Sequence, residues 1–347
     1  MKTLVTGATG FLGAHLVAEL CRQMPASNVR VFSQSRSASL AALGVDVCVG
    51  SVTDPAALER AVAGVDKIYH LAGMVSRKPE DGHRMYEVHV EGTRLLCAAA
   101  IRAGAKRMVL ASTSGTIAVS DRDDAGLDES CDPPLALIGK WPYYASKYYQ
   151  EETARRACDD KLELVIVNPS LLLGPGDDRL SSTRDIVSFI AGEIPMVPRG
   201  GLNFVDVRDV ATILPVAMEK GRAGERYLLG GHNMSFADFF GRLERLTKVS
   251  GPKLPSPKGK LAVIGAELYG SLFRAIGRTP TLDPAAVDMA NHHWYFTHDK
   301  AVAELGYTTR EATDTLLDTV VYIRKHILGR KPLVGGGAKP SVAQLPG

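Results

Sequence analysis

A phenol, an ammonium and a row of hydroxyls are the side chains of this sequence best suited to chemistry. In Tyr143-Tyr144-Ala145-Ser146-Lys147 the phenol and the ammonium stand four residues apart. On a helix that spacing puts them on one face, roughly 6 Å apart at Cβ. A free phenol, with a pKa of about 10, is a poor proton donor or acceptor near neutrality, and an adjacent cation draws that value toward the working range. Such pairs also recur on ordinary helix surfaces, so their company decides. Upstream lies Ala111-Ser112-Thr113-Ser114-Gly115-Thr116, at the end of an apolar run.

The third piece is Thr6-Gly7-Ala8-Thr9-Gly10-Phe11-Leu12-Gly13, between the first strand-like run and the first helix-like run. Glycines there let the backbone approach a pyrophosphate, and a helix N-terminus supplies free N–H groups and partial positive charge. A bare strand-to-helix turn also uses glycine, but the position at the start of a βαβ unit favours a dinucleotide site. NAD sites usually end the second strand in an acid that binds the ribose hydroxyls. Here that strand ends Val31-Phe32-Ser33-Gln34-Ser35-Arg36-Ser37, with no acid and one arginine. A 2′-phosphate suits Arg36 with Ser33 and Ser35 beside it, so NADP(H) is favoured. NAD(H) stays open, because Arg36 would look the same as an ordinary solvated arginine.

These pieces sit on a regular alternation. Lys2 to Thr6, Val29 to Phe32, Val45 to Val49, Lys67 to Leu71, Arg107 to Ala111 and Leu162 to Asn168 are mostly apolar on successive residues, the mark of strands covered on both faces. Helical patterns between them include Leu12 to Met24, and Pro55 to Val62 behind Asp54 as N-cap. The expected fold is α/β, a Rossmann-type doubly wound parallel sheet over residues 1–170. Beyond it, Pro and Gly punctuate shorter elements. A smaller C-terminal substrate lobe is expected over 171–329, with some later segments returning to the first domain. Helices are expected at Phe236 to Thr247, Leu261 to Ile276 and Ala312 to Ile327. Residues 330–347 carry Gly335-Gly336-Gly337 without periodicity and read as a flexible tail.

The 347 residues carry 41 Lys plus Arg against 38 Asp plus Glu, a net charge of +3 with no block of like charge, so nucleic-acid binding is not signalled. Cys21, Cys48, Cys97, Cys131 and Cys158 form no C-x-x-C pair, which argues against a disulfide framework or zinc site and for a reducing cytoplasm. No apolar run reaches the roughly 18 residues of a spanning helix, and the N-terminus enters a strand pattern instead of a signal peptide. His292, His293 and His298 have no carboxylate or cysteine at ligand spacing, so no metal is assigned.

Thr6 to Gly13, His70-Leu71-Ala72-Gly73, Val90-Glu91-Gly92-Thr93, Ala111 to Thr116, Tyr143 with Lys147, and Asn168-Pro169-Ser170 leading to Gly174-Pro175-Gly176 together resemble an extended short-chain dehydrogenase/reductase of the NAD(P)-dependent epimerase/dehydratase superfamily. The likeness covers roughly residues 1–328. Asn203 to Ala211 and Gly224 to Gly231 are most similar to the dihydroflavonol-4-reductase-like branch and to hopanoid-associated epimerase-like proteins. The resemblance implies hydride transfer between the nicotinamide and a carbonyl carbon. Tyr143 is then the acid, Lys147 lies beside the ribose, and Thr113, aligned through Gly115-Thr116, holds the carbonyl oxygen, with Ser112 and Ser114 as alternates. The implied cofactor set is Gly7, Thr9, Gly10, Phe11, Leu12, Gly13, Ser33, Ser35, Arg36, Ser51, Val52, Leu71, Ala72, Gly73, Ala111, Ser112, Tyr143, Lys147, Asn168, Pro169 and Ser170. Met74, Val75, Ser76, Thr113, Ser114 and Trp141 fall on the substrate side. Two residues depart from the pattern. His89 stands where many relatives have Asn, and is read as a plain helix residue ahead of a proton shuttle. Asn168 stands where sugar-nucleotide epimerases often have arginine.

Three activities fit this frame. The favoured one is NADP(H)-dependent reduction of a ketone or aldehyde of a small, apolar substrate, or the reverse oxidation. The others are an NAD-dependent sugar or sugar-nucleotide epimerase and a catalytically silent NADP-binding sensor. The arginine that sugar-nucleotide enzymes place just before the segment matching Asn203-Phe204-Val205-Asp206-Val207 corresponds to Leu202, leaving Arg199 or Arg208 as stand-ins. A dehydratase would need Asp-Glu where Ser114-Gly115 stand, and the retained Tyr143 and Lys147 argue against a silent sensor. The stripe Leu261, Ile264, Leu268, Leu272, Phe273 and Ile276 reads as core packing ahead of a lid or a membrane-touching helix. A small-molecule substrate is expected, with no nucleic acid and no integral membrane segment. A homodimer and a monomer both stay open.

Overall fold

Parallel strands need a crossover long enough to hold a helix, and the sequence supplies one between most of its apolar runs. The protein is described by a computed structural model over residues 1–123, 126–257, 259, 261–267 and 283–329. Its strands are β1 (Thr3–Thr6), β2 (Val29–Ser33), β3 (Asp46–Val49), β4 (Lys67–His70), β5 (Arg107–Ala111), β6 (Glu163–Pro169), β7 (Leu171–Leu173), β8 (Gly201–Asp206), β9 (Arg226–Leu229) and β10 (His232–Ser235). Seven of them form one parallel sheet in the order β3-β2-β1-β4-β5-β6-β9. The order reverses at β1 and β4, which opens a crevice beyond the carboxyl ends of those strands.

Successive residues along each strand bury on opposite faces, which is why the runs are continuously apolar. Leu4, Met108 and Ile166 join Leu58 and Leu96 on one face, under the helices Pro55–Val62, Gly92–Ala103 and Pro142–Cys158. Val5, Val109 and Val165 join Leu16, Val17 and Leu214 on the other, under Phe11–Gln23 and Val207–Lys220. Asp54 caps Pro55–Val62 by accepting the Ala56 and Ala57 N–H groups. Ser235 caps Phe236–Thr247 through the Asp238 N–H.

The chain returns to the first domain after residue 170: β9 pairs with β6, and Val207–Lys220 packs on Phe11–Gln23. The sequence shows no clear helix over 207–220 because Pro215 lies inside it, where proline is normally a breaker. The second lobe is built on a three-stranded sheet, β10-β8-β7, with Phe189, Phe204, Phe240, Leu243 and Leu316 in its core. Residues 261–267 are helical. There the core reading of the stripe is corrected: Leu261 and Ile264 are 68% and 48% exposed, and Ala262 and Ala266 are the buried residues. The rest of that stripe, from Leu268 to Ile276, and the expected tail at 330–347 lie outside the described residues. Among the described residues no helix is long and apolar enough to cross a membrane.

Candidate active site

Gly7 follows β1 with φ +72°, and a Cβ there would lie 2.6 Å from the Leu71 carbonyl carbon. A Cβ on Gly13 would lie 2.2 Å from the Gly7 carbonyl oxygen. These two glycines therefore let the chain cross itself, pressing the start of Phe11–Gln23 onto β1 and the end of β4. Gly10 differs. Its Cβ would meet only the Gly7 oxygen, at 3.2 Å, and as N-cap it offers the helix no side-chain hydrogen bond. The first helical N–H groups and the open face of Gly10 make an anion cradle. Arg179, from the segment after β7, reaches Thr9 Oγ1 at 3.4 Å and brings a cation to the same loop.

At the end of β2, Arg36 and Ser35 are exposed. Ser33 is corrected: it is buried and its hydroxyl donates to the Ser35 carbonyl at 2.8 Å. That proton is not available to a phosphate oxygen while the bond lasts. Ser51 pairs with Thr53, and Val52 is buried against Gly92.

Lys147 lies one turn along from Tyr143 and is buried. It donates to the Ala111 carbonyl at 2.7 Å and to Gln150 Oε1. Burial draws its pKa down to about 8, against the opposing pull of Glu151. From Gln150 a buried chain of polar groups runs to Thr93 at 2.9 Å, on to His70 Nε2 at 2.8 Å, and from His70 Nδ1 to Thr6 at 2.7 Å. Thr6 Oγ1 accepts the Ala72 N–H at 3.2 Å. This chain fixes Lys147 relative to the glycine loop.

His89 does related work on the other side. The Met74 N–H donates to His89 Nε2 at 3.0 Å, so Nδ1 carries the proton and donates to Ser146 Oγ at 2.9 Å. Ser146 in turn donates to the Tyr143 carbonyl at 2.8 Å. With both ring nitrogens held, His89 is a strut between the Gly73-Met74 loop and the tyrosine helix. Gly73 permits the contact, since a Cβ there would stand 3.0 Å from Nε2.

Both histidines are held neutral. Burial drives His70 down to about 3, with Lys147 adding to the effect. His89 is also pushed well below its ordinary 6.5, by burial first and then by Lys147 and His70. Below pH 6.5 the unfolded chain binds protons that the folded one refuses, so stability falls as pH drops. The urea midpoint should decline from pH 7 to pH 5, and His70→Asn should flatten that decline. A His70→Asn slope equal to wild type would contradict this reading.

Tyr143 is half-buried. Burial, with Tyr144 adding to it, raises its pKa above the ordinary phenol value. The expectation that Lys147 draws this phenol down is thereby corrected: the ammonium is engaged by Ala111 and Gln150. Of the three neighbouring hydroxyls, Ser112 is buried and donates to Glu151, and Ser114 is buried. Thr113 is half-buried and its Oγ1 accepts only a long bond, 3.4 Å, from the Gly115 N–H. Thr113 is the least buried of the three.

Asn168 is buried, and its amide N–H groups face the Thr113 carbonyl at 3.0 Å, Thr116 Oγ1 at 3.1 Å and Glu151 Oε1 at 2.8 Å. Its side chain thus holds the hydroxyl loop. Ser170 Oγ, just past the end of β6, is buried without a partner.

On the substrate side, Val75 is 55% exposed, Met74 is held through its backbone, and Ser76 is bonded to Asp81. Trp141 is corrected: it is 2% exposed, its indole N–H goes to Asp288 at 2.9 Å, and its ring stacks on Trp294. The wall beside the hydroxyl loop belongs to Tyr144 and Trp294. A Cβ on Gly115 would lie 2.2 Å from Tyr144 and 2.8 Å from Trp294. Arg77 bridges the two lobes, clasping Asp185 with bonds of 2.7 and 3.1 Å. Gln150 and Glu151 follow Lys147 by three and four residues, a helical neighbour spacing that could have marked them. Trp294 stands out in the sequence only as part of the aromatic run Trp294-Tyr295-Phe296, with nothing local to place it beside Gly115.

The residues fit a dinucleotide on three structural features: the open face of Gly10, the uncapped helix N-terminus, and the unpartnered Ser170 hydroxyl where β6 ends. The model of the NAD dependent epimerase/dehydratase family matches residues 3–230. A Synechocystis protein named as a dihydroflavonol 4-reductase is 34% identical over 328 residues, covering 93% of this chain and 94% of that one. Sterol demethylase protein B of Methylococcus capsulatus is 31% identical, covering 94% of this chain and 99% of its own. The crystal structure of gox2253 superimposes with a TM-score of 0.80 at 31% identity, over 94% of this chain and 98% of that one. The chain belongs to the NAD-dependent epimerase/dehydratase family, the extended short-chain dehydrogenase/reductases, and is an NAD(P)-dependent oxidoreductase.

Proposed function

We propose that this enzyme reduces a ketone or aldehyde of a small, apolar substrate with NADPH, or runs the reverse oxidation. The observation that carries the reading is an aromatic wall at the tyrosine: the Tyr143 ring lies 5.1 Å from Tyr144, Tyr144 lies 4.9 Å from Trp294, and Gly115, two residues beyond Thr113, faces both rings. The nicotinamide supplies the hydride when bound. Thr113 donates its hydroxyl hydrogen to the carbonyl oxygen, and Tyr143 gives up the proton that neutralises the forming alkoxide. A raised pKa keeps Tyr143 protonated at neutral pH, as the reductive direction requires. Lys147, buried one helical turn from Tyr143 and held by the Ala111 carbonyl and Gln150, is the residue for the ribose side of the cofactor.

The cations that a sugar diphosphate would need are otherwise engaged, which supports a reductase over an epimerase. Leu202 is buried in the second-lobe core, Arg208 is bonded to Asp206 and Asp318, and Arg199 to the Ser256 carbonyl. The Synechocystis relative is named as a reductase and the Methylococcus relative for a sterol, which is consistent with reduction and with an apolar substrate. The test is NADPH deuterated at C4, offered with a panel of apolar ketones and aldehydes. The reading expects one deuterium in the product alcohol and one NADP⁺ per alcohol formed. NADPH consumption without label in any product would overturn it.

The cofactor choice is a separate part of the proposal and rests on Arg36 with Ser35. Arg36→Ala should weaken NADPH binding more than NADH binding, by about 1.5–3 kcal/mol, the range for a hydrogen bond to a charged group. Fluorescence titration with both cofactors checks it. Equal losses would remove Arg36 from the phosphate site.

A further inference from the structure

We infer that Glu151 is a positioning residue for this chemistry, orienting the Thr113 loop and setting a negative charge one helical turn from Lys147. The inference rests on the proposed reaction for its meaning and on the geometry for its residues. Glu151 follows Lys147 by one helical turn and is 1% exposed. Its Oε1 accepts from the Ser112 hydroxyl, from Thr116 Oγ1 at 2.9 Å and from Asn168 Nδ2 at 2.8 Å. Thr116 and Asn168 in turn hold the Thr113 carbonyl, at 2.9 and 3.0 Å. Every one of those bonds therefore ends on a residue that flanks or holds Thr113. The other oxygen, Oε2, forms an ion pair with Arg226 of β9, at 3.3 Å.

A buried carboxylate is destabilising unless it is paired and hydrogen-bonded, and for stability alone an apolar side chain of the same volume would often serve as well. What the carboxylate adds is direction and charge. It gives three donors a common acceptor, so the loop has one arrangement. It also sets a negative charge one turn from the Lys147 ammonium, opposing the burial that draws that group down. The other ionisable groups around Lys147 are Tyr143 on the same helix, His70 at the end of β4 and His89 opposite, both histidines neutral. Arg226 and Arg155 bear on Glu151 itself.

Glu151→Gln keeps an acceptor oxygen and removes the charge. NADPH affinity, read by fluorescence titration across pH 6–10, is the readout that needs no substrate. In the wild type the affinity should fall as Lys147 loses its proton, and in Glu151→Gln the midpoint of that fall should move to lower pH by roughly 1 unit. Where a turned-over carbonyl is in hand, kcat should fall roughly tenfold while KM changes less, as expected for misplaced reacting groups. A folded Glu151→Gln variant with the wild-type midpoint would overturn the inference. Should the single variant fail to fold, Glu151→Gln with Arg226→Gln leaves neither charge buried alone and should show the same displacement; failure of both to fold would also reject the positioning role. Loss of turnover in wild type with every carbonyl tested would sink the proposed reaction and leave the midpoint comparison intact.

Discussion

Tyr143→Phe keeps NADPH affinity within about threefold and lowers turnover by roughly 10²–10⁴-fold, the share of a barrier that a positioned general acid supplies. The substitution removes one oxygen and leaves the ring. The ring's neighbours are His89 at 6.0 Å and Tyr144 at 5.1 Å between centroids, and both contacts survive. The backbone tie from Ser146 to the Tyr143 carbonyl survives as well. A structural explanation for lost activity is thus closed off in advance. Stopped-flow measurement of NADPH oxidation, with fluorescence titration of the same preparation, separates the two quantities. Retained turnover would remove Tyr143 from the proton-transfer step. Equal loss of binding and turnover would make it a binding residue.

Gly7→Ala is expected to abolish NADPH binding and to destabilise the fold by several kcal/mol, whereas Gly64→Ala should cost about 1–2 kcal/mol, the left-handed penalty alone. The two glycines share a backbone conformation, with φ +72° and +69°. They differ in what surrounds them. At Gly64 a Cβ meets nothing within 4 Å, while at Gly7 it would meet the Leu71 carbonyl carbon and oxygen at 2.6 Å and the Ala72 nitrogen at 2.7 Å. Backbone cannot swing aside as a side chain can, so Gly7→Ala adds an overpacking term of roughly 1–3 kcal/mol to the strain and displaces the loop. Urea unfolding of both variants gives the comparison directly. Equal destabilisation would mean that the crossing of β1 with the end of β4 is loose and that the loop has another reason for its glycine.

The strands of the first domain are legible in the sequence because they are buried on both faces: Leu4 and Val5 point to opposite sides and both must be apolar. The small sheet is less so. β8 carries Gly201 and Asn203, and Asn203 is buried only because Asn233 and the Gly231 N–H answer its amide. Those partners are some thirty residues away and leave no local trace. The same divide runs through the site. Gly7, Gly13, Tyr143 and Lys147 act through short-range spacing and can be read directly. Trp141 misleads because adjacency says nothing about facing: it stands just before the helix that bears Tyr143, and its indole turns inward onto Trp294. His70, Thr93, Gln150 and Glu151 matter through contacts between helices and strands, which only the folded chain brings together.

The central claim is that hydride leaves the enzyme with its product and that the cofactor exchanges on each cycle. The most direct measurement is to denature the purified protein and identify any nucleotide it releases, with its molar ratio to chain. The account predicts little nucleotide, or substoichiometric NADP(H). Close to one NAD⁺ per chain would contradict it, because a cofactor held that tightly belongs to an enzyme that takes its hydride back.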